Sequence, residues 1–150
     1  MREVRRLPAQ PPLHENCELL IDETGVGRPV EDLFDEAGMQ PTRVTITAGE
    51  KQTPQYDRRW HVAKSILISY LDARLHVGEL RFAASLTEAG AMQEELKDFR
   101  RKVSAAGWST FEARVGEHDD FVLAVAIGLW ALVGPPKPTY PTFSIWRMQR

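Results

Sequence analysis

Leu19-Leu20-Ile21-Asp22-Glu23-Thr24-Gly25-Val26-Gly27-Arg28-Pro29-Val30 is the stretch on which the fold of this 150-residue chain turns. Leu19 to Ile21 is apolar without alternation, which predicts a strand over residues 17–22 covered on both faces, as in a parallel or mixed sheet. Thr24-Gly25-Val26-Gly27 reads as a turn. Pro29 then suits the first turn of a helix that runs to about Ala37 and stops at Gly38. Arg43 to Ala48 alternates polar and β-branched residues, as a second strand does. Strand, helix and strand in so short a space predict a βαβ unit, right-handed by default.

Outward from this unit, residues 1–16 carry Arg2, Arg5 and Arg6, then Pro8, Pro11 and Pro12, and read as a flexible arm. Residues 49–62 are polar and read as irregular. Leu67, Leu71 and Leu75 recur every four residues, predicting an amphipathic helix from about Ala63 to Val77 with Gly78 as its stop. Leu80 to Ala83 is a candidate short strand. Thr87 is a candidate N-cap, with Glu88, Glu94 and Glu95 near the helix start. Met92, Leu96, Phe99 and Val103 line one face of that helix. Lys97, Arg100, Arg101 and Lys102 cluster toward its end as a solvated face, and Gly107 closes it. Thr110 to Val115 is a candidate strand. Asp119 or Asp120 opens a last helix, apolar nearly all round and so expected to be central. Pro135, Pro136 and Pro138 end it, and the tail 135–150 carries Tyr140, Phe143 and Trp146, expected to fold back or to dock on a partner.

Composition bounds the rest. Apolar residues make up 43% and charged residues 27% of the chain, an ordinary globular composition with a core burying roughly 70% of the unfolded surface. The net charge of −2 gives no bulk attraction to nucleic acid, so any DNA contact must come from local basic clusters. Cys17 is the single cysteine, which excludes an internal disulfide and a cysteine-based zinc site; its apolar flank predicts a buried small hydrophobe. No signal-peptide core opens the chain. The longest apolar stretch, Phe121 to Val133, is too short to span a bilayer, so no membrane partner is expected.

Two acidic motifs carry the candidate chemistry. Asp22 ends a strand, and Gly116-Glu117-His118-Asp119-Asp120-Phe121 opens a helix. Carboxylates at element ends reach a shared cleft from a rigid backbone, and converging carboxylates hold divalent metal. Equally, Asp22 is a turn-former, and one of Asp119 and Asp120 a helix cap. Gly25 and Gly27 form a tight turn or cradle a phosphate at the helix start. His118 is a structural histidine or a cleft residue. Arg58, Arg59, His61 and Lys64 interrupted by Trp60 form a basic loop, suited to phosphate contact with base stacking or simply solvated.

Six segments in order resemble the nuclease domain of phage terminase large subunits: Asp22 to Val30, Ile46-Thr47-Ala48-Gly49, Val62-Ala63-Lys64, Leu75-x-x-Gly78-x-Leu80, Glu95-Leu96-x-x-Phe99 and Gly116-x-His118-Asp119-Asp120. The resemblance covers roughly residues 17–133. It implies an α/β, RNase H-like fold, a mixed sheet with flanking helices. It also implies Mg²⁺- or Mn²⁺-dependent hydrolysis of double-stranded DNA, with Asp22, Asp119 and Asp120 as catalytic metal ligands. One ion would activate water and the other stabilise the leaving 3′ oxygen. Arg58, Arg59, Lys64 and His118 would contact DNA.

The family's first acid has no match, since none of the residues before Asp22 is an Asp. The family's first strands are likewise unmatched, and no Gly-x-x-x-x-Gly-Lys-Ser/Thr loop marks an ATPase motor. The resemblance therefore implies an incomplete, weakly active nuclease domain over 17–134, encoded by a prophage and working in the bacterial cytoplasm. Its expected partners are DNA and, at the open edge of strand 17–22, a missing N-terminal segment, an ATPase domain or a second copy. A non-catalytic DNA- or protein-binding remnant is the alternative, and a small α/β enzyme using the Gly25/Gly27 turn for a phosphorylated ligand is a third.

Overall fold

A computed structural model of the chain describes residues 4, 10, 11, 13, 17–25, 28–98, 100–103, 109–112 and 120–134. The elements are β1 (Leu20–Asp22), α1 (Arg28–Glu36), β2 (Thr42–Thr47), β3 (Gln52–Pro54), β4 (Arg59–Ala63), α2 (Lys64–His76), α3 (Ala89–Asp98), β5 (Arg100–Val103), β6 (Ser109–Glu112) and α4 (Asp120–Val133). Four strands form one mixed sheet in the order β1-β2-β4-β3. β1, β2 and β4 run parallel, with Asp22, Val44 and Trp60 in one register row, and β3 pairs antiparallel to β4. The strand–helix–strand unit stands where the motif around Asp22 places it.

Alternation divides the sheet into two unlike faces. Val44, Trp60 and Val62 point to one, where Leu67, Ile68 and Leu71 of α2, Met92 of α3, and Val122, Ala126, Ile127 and Trp130 of α4 close the core. Trp60 and Trp130 meet edge to face, with ring centroids 5.3 Å apart and planes at 75°. The Trp130 indole N–H donates to Gln52 Oε1 at 2.7 Å, so a nearly buried donor is satisfied from the edge strand. The other face carries Arg43, Arg59 and His61. Leu19, Leu20 and Ile21 are accordingly half-buried rather than sealed on both sides.

Several expectations are corrected. Residues 49–62 are not irregular: they hold β3 and β4, joined by a turn with Asp57 and Arg58 at φ 58° and 55°. No glycine marks that turn. Arg43 Nη1 holds the Asp57 carboxylate at 3.1 Å, the Arg43 backbone N–H donates to the Arg58 carbonyl at 2.9 Å, and Arg58 reaches Glu18 at 3.2 Å. Tertiary contacts thus hold a backbone that the local sequence does not favour.

The helix drawn through Gly107 ends at Asp98, because residues 100–103 instead pair antiparallel with Ser109–Glu112. The helix propensity of the basic residues yields to cross-strand backbone bonds with a Thr110-Phe111 partner. That helix also begins at Ala89, two residues beyond Thr87. Leu80–Ala83 is not a strand: the Leu80 N–H closes the end of α2 on the Arg74 carbonyl at 3.1 Å, and Leu80 and Phe82 pack against the core. Cys17 is exposed, since β1 starts only at Leu20. α4 is not enclosed, with Leu132 84% and Val133 42% exposed. The arm of residues 1–16 and the tail beyond Gly134 lie largely or wholly outside the described residues.

Gln52→Ala leaves the Trp130 N–H buried without its acceptor. It is expected to lower unfolding stability by about 1–3 kcal/mol in urea titration, and an unchanged midpoint would contradict this anchoring of α4.

Candidate functional site

Asp22 lies where β1 gives way to a turn. Its Oδ1 accepts the Thr24 backbone N–H at 2.8 Å, and the Thr24 hydroxyl oxygen accepts the Ile46 N–H of β2 at 2.8 Å. Gly25 follows at φ 79°, a conformation that strains any residue with a Cβ. The Glu23 N–H donates to the Val44 carbonyl at 2.8 Å. The acidic side chain is therefore held by a short-range turn that is itself stitched to the neighbouring strand.

Glu18, Leu20 and Asp22 recur every second residue and present to one side. Asp120, Leu123, Ala124, Ile127 and Gly128 recur at helical spacing and form one stripe of α4. Together with Leu19 these two rows line a cavity of about 480 Å³. Asp22 and Asp120, nearly a hundred residues apart in sequence, thus border the same space. The stripe also accounts for the all-round apolar character of α4: Val122, Ala126 and Trp130 fill the core, while Leu123, Ala124 and Ile127 wall the cavity.

The start of α4 is capped from outside the helix. Glu95 Oε2 on α3 accepts the backbone N–H groups of Phe121 at 2.9 Å and Val122 at 3.0 Å. These are the donors that an N-cap side chain ordinarily satisfies. The Asp120 side chain is not needed for them. No local pattern marks this role of Glu95, because only the packing of α3 beside α4 brings the carboxylate there.

The chemistry of the cavity is that of hard oxygen donors. Two carboxylates at one cavity are donors of the kind that a hard divalent cation takes. Among the described residues, no group of three or more His, Cys, Asp and Glu is placed to hold a metal. Asp119 and His118 lie outside the described residues.

The basic candidates are divided by the sheet. Arg58 binds Glu18 at 3.2 Å and the Thr42 hydroxyl at 3.3 Å, at the margin of the cavity. Arg59 shares a register row with Ile21 and Arg43, one residue out of phase with Asp22, and pairs with Glu23 at 3.1 Å on the opposite face. His61 shares that face. Lys64 opens α2. Trp60 is 7% exposed within the core, so it does not serve as a stacking platform, and the basic stretch is a strand rather than a flexible loop.

The chain is similar in structure to the large terminase nuclease from the thermophilic phage G20c, whose crystal structure holds bound cobalt. The TM-score is 0.60 at 23% sequence identity, over 85% of this chain and 59% of that one. At that identity the likeness shows the fold: this chain has the α/β fold of a terminase nuclease domain, of RNase H-like type, and spans 59% of the length of that neighbour. No protein-family model matches the chain, and no curated protein sequence matches it. Among the described residues, no helix is long and apolar enough to cross a membrane.

Thr24→Val removes the acceptor of the Ile46 N–H and is expected to cost about 1 kcal/mol in chemical denaturation, whereas Thr24→Ser stays near wild type. Equal stability of the two variants would show that the turn does not depend on this bond.

Proposed function

We propose that this chain is a metal-dependent DNA endonuclease domain of the phage terminase type, of low intrinsic activity. The observation that carries the proposal is the convergence of Asp22 and Asp120 on one cavity within a terminase-nuclease-like fold. The substrate is double-stranded DNA, and the ion is Mg²⁺ or Mn²⁺. When bound, a divalent cation supplies Lewis-acid charge for the phosphodiester and an activated water.

Asp22 and Asp120, with Asp119 beside it, hold that ion through carboxylate oxygens. The turn from Asp22 to Gly25 keeps the first carboxylate from swinging away, and the rigid start of α4 does the same for the second. Leu123, Ala124 and Ile127 form the apolar wall of the cavity. Arg58, at the cavity margin, and Lys64 meet backbone phosphates, since pairing with a carboxylate leaves further guanidinium donors. A set this small holds one ion better than two, which is why slow hydrolysis is expected.

A second reading, a non-catalytic binding remnant of the same fold, is favoured by one feature. β1 stands at the edge of the described sheet. The Leu19 carbonyl and the Glu23 N–H bond to β2, so the backbone groups of Leu20 and Asp22 face away from it. That edge accepts another strand from an N-terminal segment, an ATPase domain or a second copy.

Thermal melts with and without millimolar Mn²⁺ test the first reading. At about 100 times its dissociation constant the ion should stabilise wild type by about 2.7 kcal/mol, and Asp22→Ala and Asp120→Ala should abolish the shift. Salt-sensitive DNA binding that ignores Mn²⁺ and survives Asp22→Ala would instead support the remnant.

A further inference from the structure

We infer that Glu95 is a positioning residue of the acidic cavity: by capping α4 from α3, it leaves both oxygens of the Asp120 carboxylate free to hold a divalent cation. The inference rests on the metal-nuclease reading and adds to it a residue outside the cavity lining.

The geometry sets the requirement. Phe121 and Val122 are the second and third residues of α4, and their N–H groups have no partner inside the helix. An aspartate at a helix start is well suited to accept such bonds, and a carboxylate so engaged has one oxygen fewer to offer a cation, as Oδ1 of Asp22 is committed to the Thr24 N–H. Glu95 Oε2 takes both donors at 2.9 and 3.0 Å, across 26 and 27 residues of sequence. Asp120 lines the cavity with its helix start already satisfied.

The cap also acts as a brace. Met92 of α3 lies in the core with Val122 and Ala126, and Glu95 lies one turn further along α3, so an apolar contact and a doubly accepting carboxylate together tie α4 to its neighbour. Sliding or rotation of the first turn of α4 would carry Asp120 away from Asp22. Groups that orient a metal-binding side chain without touching the ion commonly change its affinity by about tenfold or more when removed.

The test measures Mn²⁺ binding to the full-length chain by titration calorimetry well below the melting temperature, together with the amide nitrogen–proton resonances of Phe121 and Val122. Glu95→Ala is expected to raise the Mn²⁺ dissociation constant about tenfold and to move both amide resonances. Glu95→Gln keeps an oxygen acceptor of the same reach and is expected to stay within about threefold of wild type. Should Glu95→Ala not fold, Glu95→Asp, charged but one methylene shorter, is expected to weaken binding about threefold. Wild-type affinity in whichever of the alanine and aspartate variants folds would overturn the role of Glu95 and leave the metal-nuclease reading standing. A wild-type chain that binds no Mn²⁺, or binds it equally after Asp22→Ala and Asp120→Ala, would overturn that reading and this inference with it.

Discussion

The contact between Trp60 and Trp130 is the constraint on which the remaining geometry depends. It joins the central strand β4 to the last helix, and the Gln52 side-chain amide oxygen fixes the indole of Trp130 in one orientation. A helix turns by about 100° per residue, so fixing one side chain fixes the heading of all the others. With Trp130 facing the sheet, Val122 and Ala126 share its stripe, and Asp120, Ala124 and Ile127 look toward β1. The acidic cavity is therefore a consequence of how an aromatic pair packs some way from it. Glu95 holds the opposite end of the same helix, and between the two anchors α4 has little freedom left.

Much of this was legible in the sequence because it is encoded locally. The stop at Gly38, the leucine repeat of α2, the opening of α4 and the Asp22 turn each depend on residues within a few positions of one another. β3 and β4 were hidden for the opposite reason. Their turn uses Asp57 and Arg58 in left-handed conformations that glycine or asparagine would have advertised, and distant partners stabilise it. Arg59-Trp60-His61-Val62 does alternate, but its polar members continue a basic run from Arg58 to Lys64 whose composition is equally that of an exposed loop. The basic run after Asp98 misled similarly: residues 100–103 have fair helix propensity, and only the later segment 109–112 makes them a strand. Of the candidate site, Asp22 and Asp120 were visible as residue types at element ends. Glu95 and Glu18 were not, because their roles exist only across the packed interface.

Arg43 illustrates how polar groups set shape here more than stability. Its side chain is 6% exposed, yet its two partners, Asp35 on α1 and Asp57 in the β3–β4 turn, are 67% and 74% exposed. Attraction to such open carboxylates is well screened, and the buried Arg43 Nε has no hydrogen-bond partner. The guanidinium nevertheless bridges a helix and a turn. It keeps the turn, and with it Arg58, in the position from which Arg58 reaches Glu18.

The long sequence span between Gln52 and Trp130 also sets an order of assembly. The Asp22 turn closes onto β2 across 22 residues, whereas α4 reaches its hydrogen-bond partner across 78. Short loops close at lower entropic cost than long ones, so the strand-and-turn portion consolidates before the last helix docks. On the ribosome the disparity is larger, because α4 is the final described element to be made. Until it arrives, Val44, Trp60 and Val62 are covered only in part, by α2 and α3, and the remainder is an apolar surface prone to chaperone capture or to sticking to other chains. The acidic turn exists in that half-made chain, but its opposing wall does not, so the cavity and the completed core arrive as one event.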